Sequence, residues 1–122
     1  DELWWRDMYK EGYRNITNID ASSVVIDQMA ARNAGKEGMT WAVMDVTEMN
    51  FRDAEFDLVL DKSVLETLEC RSDARAVSPK YLSEVHQVLR PGGAFFCLTQ
   101  IEPATVEPLL NEARSPSEYS LF

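Results

Sequence analysis

Segments with β-strand character alternate along this chain with segments of helical character, and three of the strands end in an aspartate or are directly followed by one. The strand-like runs cover residues 16–20, 41–44 and 56–60. Strands that alternate with helices pack through right-handed crossovers into a parallel sheet, so the pattern predicts an α/β fold. The carboxyl ends of parallel strands share one edge, which would place Asp20, Asp45 and Asp61 along one cleft. A single acid after a strand also serves as a helix or turn cap, but three in succession favour a binding site.

A helix is predicted over about residues 3–12, and a second one follows the first strand. Gly12 has the position of a helix-ending glycine. Ser22 or Ser23 can cap the second helix. The apolar face of the second helix is predicted to consist of Val24, Val25 and Met29.

The second half of the chain continues the same alternation. A short helical turn is predicted after Asp61, then a polar loop over residues 71–76 and a helix whose first turn holds Pro79. Residues 94–99 are almost continuously apolar, which is typical of a strand covered on both faces. A last helix is expected over residues 104–113, followed by an irregular end over residues 115–122.

Composition excludes several classes of protein. The 122 residues contain 12 lysines and arginines against 21 acids, a net charge of −9, which argues against nucleic-acid binding through a general basic surface. No run reaches the roughly 18 apolar residues of a membrane span, so no membrane segment is predicted. Cys70 and Cys97 form no disulfide framework and no zinc cluster, and both are expected to be reduced and buried.

Four segments of the chain resemble the class I S-adenosylmethionine-dependent methyltransferases. They are residues 18–22, 44–47, 56–62 and 88–93. Residues 8–13 and 61–66 are most similar to the subgroup that methylates lysines of protein substrates, which includes the methyltransferase-like proteins acting on elongation factor 1A and on citrate synthase. The resemblance extends over about residues 6 to 110.

The resemblance implies S-adenosyl-L-methionine as the cofactor and assigns roles to the strand-end residues. The implied cofactor-binding residues are Asp20, Ala21, Ser22, Asp45, Val46 and Asp61. Asp20 would hold the ribose, while Asp45 and Val46 would flank the adenine. Asp61 and Lys62 are the implied catalytic residues, facing the methionine moiety and the substrate entrance. No metal is implied.

The family's first strand and its glycine-rich turn have no counterpart in this sequence, whose five glycines form no G-x-G arrangement. In the strand order 3-2-1-4-5 the first strand is central, so a Rossmann-like sheet without it is split into two strand pairs. The later antiparallel strands of the family are also missing after Phe122. We therefore expect residues 1–122 to form a single but partial methyltransferase-like domain.

Three explanations for the missing strand stand side by side. The chain is a fragment, or it is a degenerate subunit whose gap another chain fills, or its sheet closes in a rearranged order. The corresponding functions are a methyltransferase that acts on a protein lysine or, alternatively, a catalytically inactive structural subunit of a larger assembly. The expected partners are a lysine-bearing protein substrate or a partner chain that completes the sheet. The expected location is cytoplasmic, with mitochondrial as the alternative.

The remaining candidate residues have simpler explanations. His86 is the only histidine and could act as a base, but its place in the middle of a helix favours an ordinary helix position. Trp4 and Trp5 are expected in core or partner packing. The acids between Asp53 and Asp57 are expected in a solvated turn.

Overall fold

The computed structural model describes residues 3–113 and 119–121, in which helices and strands alternate as expected of an α/β chain. The helices are α1 (Leu3–Lys10), α2 (Ser23–Arg32), α3 (Val64–Glu69), α4 (Ala74–Val88) and α5 (Pro103–Ala113). The strands are β1 (Ile16–Asp20), β2 (Met39–Val43), β3 (Phe56–Lys62), β4 (Leu89–Leu98) and β5 (Tyr119–Leu121). The chain divides into two compact units, the first unit (Asp1–Val46) and the second unit (Thr47–Phe122).

In the first unit, β1 and β2 pair in parallel from Ile16↔Met39 to Asp20↔Val43. A small core forms around Trp5, Met29 and Met39, with Tyr9, Ile16 and Trp41 partly buried against it. The rings of Trp5 and Trp41 meet edge to face with centroids 5.3 Å apart, a favourable aromatic geometry. Trp5 therefore packs in the core of its own unit.

The predicted helix ends of the first unit are confirmed. Gly12 has φ +108, and the Gly12 and Tyr13 amides donate to the carbonyls of Tyr9 and Met8, as in a Schellman ending. The Ser22 hydroxyl caps α2 by accepting from the Val25 amide at 3.2 Å.

The predicted apolar face of α2 is confirmed for Met29 and wrong for Val24 and Val25. Ile26 and Met29 are the buried residues of this helix, whereas Val24 and Val25 are 62% and 41% exposed. The face of α2 toward the sheet is a stripe that contains Ile26, Met29 and the buried Asn33. These residues follow the i, i+3, i+7 spacing. The valines lie off that stripe.

In the second unit, β3, β4 and β5 form a parallel sheet in that order. The expectation of an irregular C-terminal end is wrong for Tyr119–Leu121, which pair with Phe95–Cys97, while residues 114–118 and 122 lie outside the described part. The fully buried large side chains of this unit are Phe95, Leu65, Leu82, Val85 and Val106.

Helix α4 begins earlier than its sequence indicates. It starts at Ala74, so Pro79 lies inside the helix and the polar loop ends at Asp73. The ring of Pro79 is on the exposed side, and the carbonyl of Asp73 accepts from the Ala76 and Val77 amides, which starts the helix upstream of the proline. Burial of Leu82, Val85 and other apolar residues holds the helix together despite the missing proline N–H.

Three further expectations for the second unit need correction. Strand β4 begins at Leu89 rather than at Ala94, with a register irregularity opposite Phe56 and Leu58. It is covered mainly on one face, because Phe95 and Cys97 are fully buried while Leu98 is 49% exposed. Cys70 is exposed and not buried, since it lies at the end of α3.

The strands of the described residues form two separate sheets, one in each unit. The split of the sheet is as predicted, but the second unit has three strands rather than two because β5 pairs with β4, and the described residues contain no rearranged single sheet. That residues 1–122 make up a single partial domain remains a prediction. None of the helices within residues 3–113 is long and apolar enough to cross a membrane.

Candidate functional site

Asp20 and Asp45 lie at the same edge of the first unit's sheet. Asp20 is the last residue of β1 and is paired with Val43 at the end of β2. The Met44 amide donates to the Asp20 carbonyl at 3.0 Å, so the chain reaches Asp45 one residue beyond this hydrogen bond. Both aspartates are exposed. The parallel register thus produces the predicted juxtaposition for Asp20 and Asp45, whereas a common cleft that also includes Asp61 remains a prediction.

The turn from β1 into α2 fixes the Asp20 carboxylate. Its Oδ1 accepts from the Ser22 amide at 2.8 Å, an Asx turn that orients the side chain at the strand end. Ala21 is exposed, and Ser22 is half-buried as the cap of α2. Val46 is half-buried and belongs to the same unit. The edge therefore carries exposed acids beside the amino-terminal end of a helix.

The acid at the end of β3 has a different environment. Asp61 is only 2% exposed. Its Oδ1 accepts from the Val64 amide at 2.7 Å, and its Oδ2 accepts from the Leu65 amide at 3.1 Å and from the Tyr81 hydroxyl at 2.7 Å. The Cys97 thiol lies 3.9 Å from the same oxygen. Asp61 therefore caps α3 from inside the second unit.

Burial dominates the electrostatics of this cluster. It raises the pKa of Asp61 above the usual aspartate value, although the hydrogen bonds from Tyr81, Val64 and Leu65 oppose the rise. Burial, reinforced by the Asp61 charge, raises the pKa of Tyr81 well above its ordinary value. The same causes raise the pKa of Cys97 to about 12, so the thiol is protonated and is no nucleophile at neutral pH.

The turn after Asp61 has an unusual backbone. Ser63 has φ +69, in the left-handed region that non-glycine residues seldom adopt. Its amide donates to the Leu98 carbonyl at 3.0 Å, and its carbonyl accepts from the amide and the hydroxyl of Thr67. Lys62, the other residue of the turn, is half-buried and pairs with Leu98 in the sheet register.

A second carboxylate in this part of the molecule accepts hydrogen bonds from the residues that follow β4. Glu66 of α3 accepts from the Thr99 hydroxyl at 2.9 Å and from the Gln100 amide at 2.5 Å. These hydrogen bonds, led by the one from Gln100, hold the pKa of Glu66 below its usual value. Glu66 thus ties α3 to the segment that follows β4.

The sequence patterns do not predict Tyr81 or Glu66 as part of this cluster. Tyr81 lies on the apolar stripe of α4 with Leu82, Val85 and Val88, and a buried tyrosine hydroxyl usually has a hydrogen-bond partner. A tyrosine on the apolar stripe of a helix therefore indicates a buried hydrogen-bond acceptor. For Glu66, no local pattern in the sequence indicates the partners, which lie more than 30 residues away.

A surface depression of the first unit lies away from these acids. Its lining is Tyr9, Arg14, Asn15, Glu37 and Gly38, at the amino ends of β1 and β2. The Arg14 guanidinium covers the Tyr9 ring, 4.0 Å from its centroid, and donates to the Tyr9 carbonyl. The predicted nucleoside site is at the opposite, carboxyl edge.

The two-sheet α/β fold with acids at strand ends has the features of a Rossmann-like nucleotide-binding protein. Residues 3–97 match the family model described as a methyltransferase domain. The chain belongs to this methyltransferase domain family.

Several named proteins are similar to the chain over most of its length. The eEF1A lysine and N-terminal methyltransferase of Xenopus laevis is 39% identical over 106 residues, which cover 84% of this chain and 15% of that protein. Its Homo sapiens counterpart is 40% identical over 95 residues, covering 75% and 14%. EEF1A lysine methyltransferase 4 of Mus musculus is 31% identical over 105 residues, covering 80% and 41%. The chain therefore spans only about one seventh of the first two relatives.

Solved structures share the fold. The PH0226 protein from Pyrococcus horikoshii superposes with a TM-score of 0.60 at 18% identity, covering 75% of this chain and 41% of that one. A SAM-dependent methyltransferase from Methanosarcina mazei gives a TM-score of 0.58 at 25% identity, covering 73% and 43%. The fold is thus that of Rossmann-like methyltransferases, and these comparisons give no support to a catalytically inactive subunit.

Proposed function

We propose that this protein is an S-adenosylmethionine-dependent methyltransferase that transfers a methyl group to a lysine of a protein substrate. The observation that carries the proposal is the placement of Asp20 and Asp45, both exposed, at the carboxyl edge of two strands in parallel register. Ligands of open α/β sheets bind at this edge. The family match and the names of the relatives support the reaction class and the cofactor.

The hydrogen-bond acceptors at this edge fit the hydroxyl and amine groups of a nucleoside. The Asp20 carboxylate, oriented by the Ser22 amide, would accept hydrogen bonds from the ribose hydroxyls, with Ala21 beside it. Asp45 would accept from the exocyclic amine of adenine, and Val46 would contribute an apolar wall. When bound, S-adenosylmethionine supplies an electrophilic sulfonium methyl group.

The second unit would serve the methyl acceptor. Asp61 and Lys62 end β3, the strand whose carboxyl end the family resemblance assigns to the methionine moiety and the substrate. The protein has to orient an amine for in-line attack and leave it deprotonated, which is mainly a matter of positioning. A net charge of −9 matches the sign of a basic, lysine-bearing partner, and elongation factor 1A is the substrate that the relatives' names suggest.

Calorimetry tests the cofactor site. With the protein at its natural full length, we expect binding of S-adenosylmethionine and S-adenosylhomocysteine, and a loss of about tenfold or more in affinity for Asp20→Ala, since a hydrogen bond to a charged group is worth about 1.5–3 kcal/mol. Asp27→Ala, on the exposed side of α2, is the matched control and should bind like the wild type. Absence of heat with both ligands, or equal losses in both variants, would contradict the site.

Methyl transfer tests the acceptor. Incubation with a methyl-labelled donor and purified elongation factor 1A should label a lysine, identified by peptide mass spectrometry. Donor binding without label on any lysine of a protein mixture would remove the lysine assignment while leaving the cofactor site intact. Co-purification with a chain that completes the sheet, without transfer, would favour the structural subunit instead. A cytoplasmic location remains a prediction.

A further inference from the structure

We propose that Tyr81 is a positioning residue, which acts through Asp61 to hold the turn of residues 62–63 between β3 and α3 in the geometry that methyl transfer needs. This inference rests on the proposed function, because the carboxyl end of β3 is the edge assigned to the methyl acceptor. It gives Asp61 the task of supporting its neighbours Lys62 and Ser63.

Asp61 takes the place of a missing helix cap. Within the described residues, the Ser63 side chain at the N-cap position makes no capping hydrogen bond to α3. The first amides of this helix, Val64 and Leu65, donate instead to the two oxygens of the Asp61 carboxylate at 2.7 and 3.1 Å. A carboxylate near the first turn of a helix satisfies amides that have no partner in the helix itself. The orientation of Asp61 therefore sets where α3 begins.

The turn that Asp61 spans is under backbone strain. Ser63 adopts φ +69, and such residues persist only where the surroundings hold them. The Ser63 amide is bound to Leu98 of β4, and the Ser63 carbonyl is bound to Thr67 of α3. Movement of α3 away from Asp61 would thus pull directly on the strained residue.

Tyr81 fixes the carboxylate from another element. It lies on α4, 20 residues beyond Asp61, and its hydroxyl donates to Asp61 Oδ2 at 2.7 Å. The tyrosine is 3% exposed, and its ring meets Phe95 of β4 edge to face with centroids 6.4 Å apart. A hydroxyl held in this way has little freedom to turn away from the carboxylate. Loss of the hydroxyl should therefore loosen the turn without opening the core.

The test compares two variants that each remove one hydroxyl. In the natural full-length protein, Tyr81→Phe should lower kcat for methyl transfer about tenfold and leave the Kd for S-adenosylmethionine within about twofold. The nucleoside contacts proposed for Asp20 and Asp45 belong to the other unit, and Asp61, only 2% exposed, would affect the methionine moiety through the turn alone. Tyr9→Phe is the matched control, since the Tyr9 hydroxyl donates to the Glu37 carbonyl at 3.0 Å in the first unit. It should leave kcat unchanged.

The pH profile separates positioning from general damage. Tyr81 faces Asp61 from α4 and Cys97 faces it from β4, while Glu66 of α3 acts on Cys97 by its charge. The hydrogen bond from Tyr81 lowers the pKa of Asp61, so Tyr81→Phe should raise that pKa and move the acid limb of the kcat profile to higher pH. Equal kcat values in the two variants, or an unmoved acid limb in Tyr81→Phe, would overturn the proposal.

A measurement without activity keeps this inference apart from the proposed function. NMR titration of the Asp61 carboxyl carbon should show a higher pKa in Tyr81→Phe, and hydrogen exchange of the Val64 and Leu65 amides should become faster. If both changes occur in a protein that transfers no methyl group, the proposed function fails while the link from Tyr81 to the turn stands. If neither occurs, Tyr81 is not a positioning residue whatever the enzyme does.

Discussion

The two units of the chain use the acids at their strand ends in opposite ways. In the first unit Asp20 is exposed, with one oxygen in a local Asx turn to Ser22. In the second unit Asp61 occupies the corresponding place at the end of a parallel strand, yet it is buried and bonded to Tyr81 and to two amides of α3. A strand-end aspartate can therefore stay exposed or be enclosed as a structural cap, and its surroundings decide which.

The core of the second unit is also more completely buried than the core of the first unit. The first unit relies on a small cluster of Trp5, Met29 and Met39, in which each side chain keeps a few per cent of its surface exposed. In the second unit Phe95, Leu82 and several neighbours are completely buried. The first unit thus has less apolar burial to support its exposed acids, and the second unit has enough to enclose one.

The largest expected effect tests this difference in packing. Phe95→Ala should lower the free energy of unfolding by about 3–5 kcal/mol, because the ring is fully buried and its removal leaves a cavity. Met29→Ala should cost less, about 2 kcal/mol, since its partly exposed surroundings can relax into the space. Urea denaturation followed by fluorescence and circular dichroism measures both. Equal losses would show that the two cores are packed alike.

A backbone change in the first unit is expected to come next. Gly38 has φ +83, and a Cβ there would overlap the carbonyl oxygen of Arg14, so Gly38→Ala should cost at least about 2 kcal/mol. Gly35→Ala is the control, because a Cβ at Gly35 meets no atom within 4 Å. Thermal unfolding of the two variants is compared with the wild type. A Gly38→Ala protein as stable as Gly35→Ala would mean that the close approach of the Gly38 backbone to Arg14 does not constrain residue 38.

A smaller effect concerns the buried acid. The folded pKa of Asp61 is raised above its ordinary value of 3.8, so the folded state keeps the proton to a higher pH than the unfolded state does. The resulting stabilisation is present below 3.8 and is lost as the pH rises through the folded pKa. Asp61→Asn should therefore gain stability relative to the wild type over that interval. Denaturant unfolding as a function of pH measures the difference, and a constant difference would contradict the burial of a charge.

The smallest effect has the opposite sign. The pKa of Glu66 is lowered by the hydrogen bonds from Gln100 and Thr99, so its contribution to stability is present above 4.5 and is lost as the pH falls through the folded pKa. In the same unfolding series, Glu66→Gln should reduce the loss of unfolding free energy that accompanies the fall in pH. Asp61→Asn and Glu66→Gln should thus change the pH dependence in opposite directions, and changes of the same sign would show that burial does not separate the two acids.

Local patterns were sufficient for much of the fold. The bounds of β1, the first residue of β3, the Ser22 cap and the Gly12 helix end follow from periodicity and capping residues that lie next to one another in the chain. The family was also identified from short motifs. The placement of Asp20 and Asp45 at one edge of the sheet was predicted because parallel strands end at a common edge.

The predictions were wrong where contacts between elements far apart in the sequence determine the structure. Val24 and Val25 are apolar but lie off the stripe that faces the sheet, and tertiary burial of Leu82 and Val85 extends α4 past Pro79. The C-terminal residues Tyr119–Leu121 pair with a strand more than 20 residues earlier in the chain. Single-sequence patterns carry no information about these partners.

The amino-acid order alone determined the alternation of helices and strands and the placing of an acid after three of the strands, because hydrophobic period and capping are local properties. Only the tertiary structure decided which acid is exposed and which is enclosed. Asp61 is buried because Tyr81 of α4 and Cys97 of β4 close over it, and those residues lie 20 and 36 positions away. The free energy of ionising a carboxyl group depends on such neighbours in space, and so the chemistry of each strand end emerges only when the chain folds.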